Sequence, residues 1–173
     1  MLISLSGTPG VGKTTASLIL KKRGHKIVDL NQLAEENEFV VGFDDKRGSK
    51  IIDVERLDDF ICEHFTKEKT IIEGHLSHLL SVDIAIILRC DPIVLEERLK
   101  RKGWPEAKIK ENVGAEILDV IKVEAFEVVD KVYEIDTTSK TPLEVAKVCE
   151  NILEGIYEEP KINWLDKYEH LLF

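Results

Sequence analysis

Apolar positions along the chain fall into two alternating patterns, short β-like runs and longer stretches with helical spacing. Leu2-Ile3-Ser4-Leu5-Ser6 reads as a buried strand, and Lys26 to Leu30, Thr70 to Glu73 and Val132 to Ile135 read as three more. Ile84-Ala85-Ile86-Ile87-Leu88 is a continuous apolar run, the pattern of a parallel strand covered on both faces. Thr14 to Arg23 reads as a helix that Gly24 ends. Val54, Leu57, Ile61 and Phe65 recur at a spacing that makes one face of a helix over 54–65. Pro92 to Lys102 follows the N-cap residue Asp91, and Pro142 to Tyr157 follows Thr141, each with proline at the first helical position. Lys108 to Asp130 reads as one long amphipathic stretch. Strands alternating with helices predict an α/β fold, a three-layer sandwich around a five-stranded parallel sheet.

Three segments stand outside this rhythm. Gly42 to Lys50 is polar and glycine-flanked and reads as a mobile loop. Lys100 to Lys110 is strongly basic. The tail from Glu158 to Phe173 carries Trp164, Leu165, Tyr168, Leu171 and Leu172, which predicts a short amphipathic helix packed on the body or docking a partner.

Bulk properties narrow the setting. A chain of 173 residues suits a single domain spanning 1–173. No stretch approaches the ~20 apolar residues that span a bilayer, and the run Leu2 to Leu5 is short for a signal peptide and lacks a basic leader. The expectation is a cytoplasmic protein, or a nuclear one in a cell with a nucleus, with no membrane partner. Cys62, Cys90 and Cys149 lie far apart without CxxC pairing and are expected as reduced thiols in the core or at its margin, not as a zinc site. A net charge of −9 argues against binding nucleic acid through a basic face and suits a basic protein partner or simple solubility.

The most specific chemistry is Gly7-Thr8-Pro9-Gly10-Val11-Gly12-Lys13-Thr14, a complete G-x-x-x-x-G-K-[ST] motif between a strand and a helix. Its glycines let successive backbone N–H groups point into one concavity, and the helix that follows adds its positive end. Gly10, Val11 and Gly12 line the cradle. Lys13 is expected to reach the β- and γ-phosphates of ATP, Thr14 to ligate Mg²⁺, and Thr15 to make a further phosphate contact. A small kinase, an NTPase switch and a non-catalytic nucleotide binder all fit such a loop. The absence of an Asn-Lys-x-Asp guanine motif argues against a GTPase, and the late basic segment favours a kinase with a lid that excludes water.

The order of further motifs resembles the adenylate kinase isoenzyme 6 family from residue 1 to about 155. The likeness rests on the phosphate loop with Thr15, Ile51-Ile52-Asp53-Val54-Glu55-Arg56, Glu73-Gly74-His75 and Leu88-Arg89-Cys90-Asp91. It continues through Leu95-Glu96-Glu97-Arg98-Leu99, Lys102-Gly103-Trp104, Lys110 to Ile117 and Ser139-Lys140-Thr141-Pro142. The resemblance implies a nucleoside monophosphate kinase fold, with a monophosphate-binding region at about 30–53 and a lid at about 101–111. It implies transfer of a phosphoryl group from ATP to AMP, ATP hydrolysis, and a part in maturation of the small ribosomal subunit with small-subunit ribosomal protein eleven as partner. Catalytic roles fall to Lys13, Glu73 and His75, with Glu73 supporting Mg²⁺ through water and His75 positioning a water or coupling nucleotide state to motion. Lys102 stands where the family has a lid arginine, and Lys140 lies on the adenine side. Asp53 and Arg56 fall in the AMP region, Asp53 reading equally as a helix cap. Arg98 reads either as a surface charge or as a group aimed at the phosphates, while His25, His64, His78 and His170 read as structural or surface residues.

Three positions depart from the family pattern. Glu73 replaces aspartate and keeps the charge. Lys102 replaces arginine and loses the bidentate fork. Glu35 stands where an arginine suited to the AMP phosphate is common, and Lys46, Arg47 or Arg56 are the cations available to compensate. A ribosome-assembly ATPase with incidental kinase activity, and a kinase of another small metabolite, are the alternative readings.

Overall fold

A computed structural model of the protein describes residues 1–45 and 48–172. Among them the chain runs β1 (Leu2–Gly7), α1 (Lys13–Lys22), β2 (Lys26–Asp29), α2 (Leu30–Glu36), β3 (Val40–Asp44), β4 (Ser49–Ile52), α3 (Val54–Phe65) and β5 (Thr70–Glu73). A 3-10 turn at Ser77–Leu79 precedes β6 (Ile84–Arg89), α4 (Pro92–Arg101), α5 (Glu106–Ile117), α6 (Val120–Val128), β7 (Val132–Asp136), α7 (Pro142–Glu154) and α8 (Trp164–Tyr168).

Five parallel strands form the central sheet in the order β2-β5-β1-β6-β7. Alternation along β6 explains its unbroken apolar sequence. Ile86 and Leu88 join Ile3, Leu5, Leu20, Leu95 and Leu99 in one core layer, whereas Ala85 and Ile87 pack with Ile121 and Ala125 of α6. A further cluster under α2 and α3 gathers Leu30, Leu57, Ile61, Ile72 and Leu80. Both faces are thus covered, as the sequence predicts for a three-layer α/β sandwich. β2 and β5 lie on one side of β1, and β6 and β7 on the other, so the sheet's topological switch lies beside β1, and the crevice beyond its C-terminal end is where such sheets take ligands.

Several local expectations change. The polar segment 42–50 is not simply a loop: β3 and β4 pair as an antiparallel hairpin with Phe43 opposite Lys50 and Asp44 opposite Ser49. Val41, Phe43 and Ile51 stay exposed, so the hairpin has no well-buried face and its sequence carries no clean alternation. Lys46 and Arg47 lie outside the described residues. The stretch 108–130 is two helices, because Asp119 adopts a left-handed conformation at φ 56° between them. Aspartate tolerates that conformation, and the turn carries its carboxylate to Arg89.

The expected helix to Tyr157 ends earlier, at Gly155 with φ 73°, and Tyr157 turns back to donate its hydroxyl proton to the Glu134 carbonyl at 2.6 Å. Leu30 belongs to α2, which Asp29 caps by accepting from the Gln32 amide at 3.0 Å. The tail forms α8 as expected; its Tyr168 hydroxyl donates to Asp91 Oδ2 at 2.5 Å, with Lys167 Nζ at 3.0 Å from the same oxygen.

The three cysteines are free; Cys90 and Cys149 are buried, and burial pushes the Cys149 thiol up to about 12. Among the described residues no helix is long and apolar enough to cross a membrane.

Candidate active site

β1 ends at Gly7, directly opposite Leu88 of β6. A Cβ at Gly7 would press into the Leu88 carbonyl oxygen, and the residue's φ of 143° suits glycine. Gly10 is held equally closely: its φ is 96°, and a Cβ there would lie 2.9 Å from Leu99 Cδ2 and 3.0 Å from Leu95 Cδ1 of α4. The phosphate loop is therefore clamped between sheet and helix through its backbone.

Side chains brace it from behind. Thr8 is buried and donates its hydroxyl proton to Glu116 Oε2 at 2.6 Å. Glu116 also accepts from Arg89 Nε at 2.7 Å and from the Cys90 amide at 3.1 Å. Arg89, 2 % exposed, makes further ion pairs with Glu134 and Asp119. These carboxylates hold the Arg89 pKa above its ordinary value against the opposing effect of burial. On the far side, Thr137 Oγ1 donates toward Val11 O at 2.9 Å.

Lys13 opens α1, which has no acidic residue in its first turn to compete for an anion. Its Nζ folds back to donate to Gly7 O at 2.6 Å and Thr8 O at 3.2 Å. Burial pulls its pKa down to about 8, with Glu73 and Glu116 opposing the shift. Glu73 ends β5 and is buried beside Lys13. Burial raises its carboxyl pKa, an effect that the Lys13 charge partly offsets. Thr14 Oγ1 lies 3.4 Å from Glu73 Oε1, so a hydroxyl and a carboxylate oxygen converge. Two hard oxygen donors beside a phosphate cradle fit Mg²⁺, which keeps several waters and takes few protein ligands. His75 follows, its Nδ1 3.4 Å from Gly7 O; desolvation against the loop, and next the Lys13 ammonium, lower its pKa.

Two clefts open nearby, one on the cradle itself and one beside His75. One, of 390 Å³, has Gly10, Val11, Gly12 and Thr15 on its floor, with walls formed by Arg98, Arg101 and Lys102 from the end of α4 and by Lys140 and Pro142 beyond β7. Lys102 and Lys140, far apart in sequence, thus meet at one cavity. Arg98 is no idle surface charge: it donates to Thr137 O at 3.1 Å and Thr138 O at 3.2 Å while lining the cleft. Arg101 and Thr137 were not singled out from the sequence. Arg101 shares a helix face with Arg98 three residues earlier, a spacing that the sequence does contain.

The second cleft, of 470 Å³, is lined by Asn31 and Glu35 of α2, Val40, Ser49, Lys50 and Ile52 of the hairpin, and His75. Glu35 pairs with Lys50 at 2.6 Å, with both side chains about half exposed. Asp53 and Arg56 are not among its lining residues. Asp53 caps α3, accepting from the Arg56 amide at 3.2 Å, and the Arg56 guanidinium lies 5.3 Å from the Phe39 ring centroid.

Comparison with known proteins agrees with this geometry. Residues 3–119 match the family described as "AAA domain". A protein of Archaeoglobus fulgidus named "Putative adenylate kinase" is 46 % identical, covering 98 % of this chain and 94 % of its own. One of the same name from Methanocaldococcus jannaschii is 42 % identical over 97 % of this chain and 95 % of its own. Among solved structures, shikimate kinase from Acinetobacter baumannii in complex with shikimate matches with a TM-score of 0.61 at 17 % identity, covering 89 % of this chain and 93 % of that one. At that identity the likeness establishes the P-loop kinase fold alone. The near-complete alignment to the archaeal proteins goes further: the chain belongs to the P-loop kinase family whose archaeal members are named "Putative adenylate kinase".

Proposed function

We propose that the protein is an adenylate kinase of the isoenzyme 6 type, interconverting ATP plus AMP and two ADP, with ATP hydrolysis as a side or regulated activity. The observation that carries this reading is a cation-rich cleft floored by Gly10, Val11, Gly12 and Thr15, together with a second cleft lined by the hairpin and by His75, whose Nδ1 lies 3.4 Å from Gly7 O. ATP occupies the first. Its phosphates take the backbone N–H groups of Gly10, Val11 and Gly12, and Lys13 Nζ leaves the Gly7 and Thr8 carbonyls to reach the β- and γ-oxygens. Thr15 adds a hydroxyl. Arg101 and Lys102 close from a lid at about 101–111, Arg98 faces the phosphates from α4, and Lys140 borders the adenine side. Thr14 and, through water, Glu73 would hold Mg²⁺, which when bound would neutralise charge on the transferring phosphates.

AMP occupies the second cleft, in the region of 30–53. A phosphate oxygen of AMP attacks the γ-phosphorus, the bond to the β–γ bridging oxygen breaks, and that oxygen leaves on ADP. Such transfer needs alignment and charge stabilisation more than covalent help from the protein. His75, which lines this cleft with its Nδ1 3.4 Å from Gly7 O, orients the acceptor or, when the cleft lacks AMP, a water. In place of the arginine common in this family, the cation beside Glu35 is Lys50, not Arg56. Purified protein with ATP, AMP and Mg²⁺ should form ADP; no ADP above a Lys13→Ala control would overturn the reading.

A second reading has its own support. Because Glu35 neutralises Lys50, the lysine or arginine that lines the acceptor cleft among the described residues, hydrolysis can outrun transfer to AMP, as suits a nucleotide-switched factor in small-subunit maturation. The net charge of −9 complements a basic partner such as small-subunit ribosomal protein eleven. Capture of that protein should depend on ATP; binding indifferent to nucleotide would count against the switch. The setting for either role is the cytoplasm, or the nucleus of a cell that has one.

A further inference from the structure

Alternation along β1 places Ser4 and Ser6 on one face, both wholly buried, where apolar residues would be expected. Each serine meets the turn that follows Glu73. Ser4 Oγ lies 2.9 Å from Ser77 Oγ, which in turn donates to Gly74 O at 2.9 Å. Ser6 Oγ donates to His75 O at 3.0 Å and lies 2.9 Å from His78 Nδ1. His78 is 1 % exposed, and its Nε2 lies 2.9 Å from Glu124 Oε2 on α6. A serine hydroxyl has one proton, so the Ser6 hydroxyl cannot donate to both neighbours at once. With Nε2–H donating to the Glu124 carboxylate, a neutral His78 presents Nδ1 as an acceptor and holds the Ser6 hydroxyl between itself and the His75 carbonyl, the two acceptors that compete for its one proton.

We infer that Ser6, His78 and Glu124 form a positioning relay that fixes the His75 carbonyl and thereby the His75 ring beside the phosphate loop. The inference rests on the site read above as the place of phosphoryl transfer. His78 touches neither cleft; it acts through Ser6. Ser6 and His78 are buried while the Glu124 carboxylate is about half exposed, and buried hydroxyl and imidazole groups need every polar atom satisfied, which makes this pair costly to keep for packing alone. Glu124 fixes which nitrogen faces Ser6 by engaging the other.

The test separates position from bulk. In asparagine the amide lies near the place of Nδ1 and can still meet Ser6, whereas the longer glutamine reaches toward Glu124. Ser6→Ala and His78→Gln should lower kcat for ADP formation about tenfold, the scale of a small misplacement, with the KM for ATP within about twofold. His78→Asn should keep most of the activity. Equal losses in His78→Asn and His78→Gln, or an unchanged kcat in Ser6→Ala, would overturn the inference. The ¹⁵N resonances of the His75 ring give a readout that needs no turnover. They should move in Ser6→Ala and His78→Gln and stay in place in His78→Asn; no movement in any variant would also overturn it. Wild-type protein that forms no ADP would refute the kinase reading instead, leaving the resonances to decide the relay.

Discussion

The two clefts are built by different means. The ATP side is fixed through backbone: Gly7 has no room for a Cβ beside Leu88, Gly10 has little beside Leu95 and Leu99, and Thr8 is tied to a buried network. The acceptor side is set by side chains from α2 and a hairpin, and its one described ion pair, Glu35–Lys50, is about half exposed. The first is preorganised before any ligand arrives, the arrangement that makes electrostatic stabilisation most effective. The second can be rearranged by a ligand. An exposed ion pair contributes about 0–1 kcal/mol, so an incoming phosphate displaces Glu35 from Lys50 at little cost. If this cleft takes AMP as proposed, the carboxylate at position 35 weakens the site without abolishing it.

The sharpest way to break this comparison is at the cradle. Lys13→Ala should lower ATP turnover by about 10²–10³, in line with loss of a preorganised charge at the transferring group. Folding should be little harmed, because the variant also removes a buried ammonium. A loss below tenfold in steady-state kinetics would mean that the loop is not the reacting site.

The bracing network comes next. Arg89→Met leaves Glu116, with its side chain 2 % exposed, without its ion-pair partner, and leaves Glu134, 4 % exposed, with Lys122 alone. Breaking a buried pair in this way costs about 3–5 kcal/mol, which at this chain length lowers the melting temperature by roughly 10 °C. Calorimetry should show that loss, and ATP affinity should fall with it, because Glu116 holds Thr8. Near-normal stability with weak ATP binding would place the network in function alone.

At the acceptor cleft the effects should be smaller and opposite in sign. Lys50→Met removes a cation from the AMP phosphate and should raise the KM for AMP about tenfold, the scale of a charged hydrogen bond. Glu35→Gln should lower that KM, by no more than about fivefold if the pair is worth about 1 kcal/mol. Neither should alter the KM for ATP. A Glu35→Gln variant that binds AMP more weakly would show that the carboxylate serves the acceptor directly.

These contrasts also explain what could be read from sequence. The phosphate loop is contiguous and its chemistry follows from local backbone needs, so Gly10, Gly12, Lys13 and Thr14 stand out unaided. The strand β6 was legible because both faces are covered. The hairpin was not, since a ribbon with no buried face shows no alternation. The break at Asp119 was hidden because its cause is a tertiary bond to Arg89, remote in sequence. Lys102 and Lys140 entered by family likeness, and only the packing of α4 against the loop beyond β7 brings them to one cavity. From sequence Ser6 reads only as part of a buried strand and His78 as a structural or surface residue, for a related reason: a buried polar residue shows its purpose only when its partner is in place.

The smallest effect is a proton count, and it tests whether Lys13 is as desolvated as its setting implies. Its pKa lies at about 8 in the nucleotide-free protein, against an ordinary value near 10.5. Between those values the unfolded chain holds a proton that the folded chain has lost, so this group makes stability rise with pH across that window. Below about pH 8 both states are protonated and the cost of burying the charge is fully present. Phosphates bound at Nζ favour the ammonium, so ATP binding near pH 8 should take up about half a proton. Calorimetry in buffers of different ionisation enthalpy reads that uptake directly, and it should vanish near neutral pH and in Lys13→Met. Glu73 works in the opposite direction, since burial raises its pKa and a bound Mg²⁺ requires the carboxylate. Proton release on the acid side and uptake on the basic side would therefore assign one ionisation to each group. Uptake that persists in Lys13→Met would move the basic-side ionisation to another residue of the cleft.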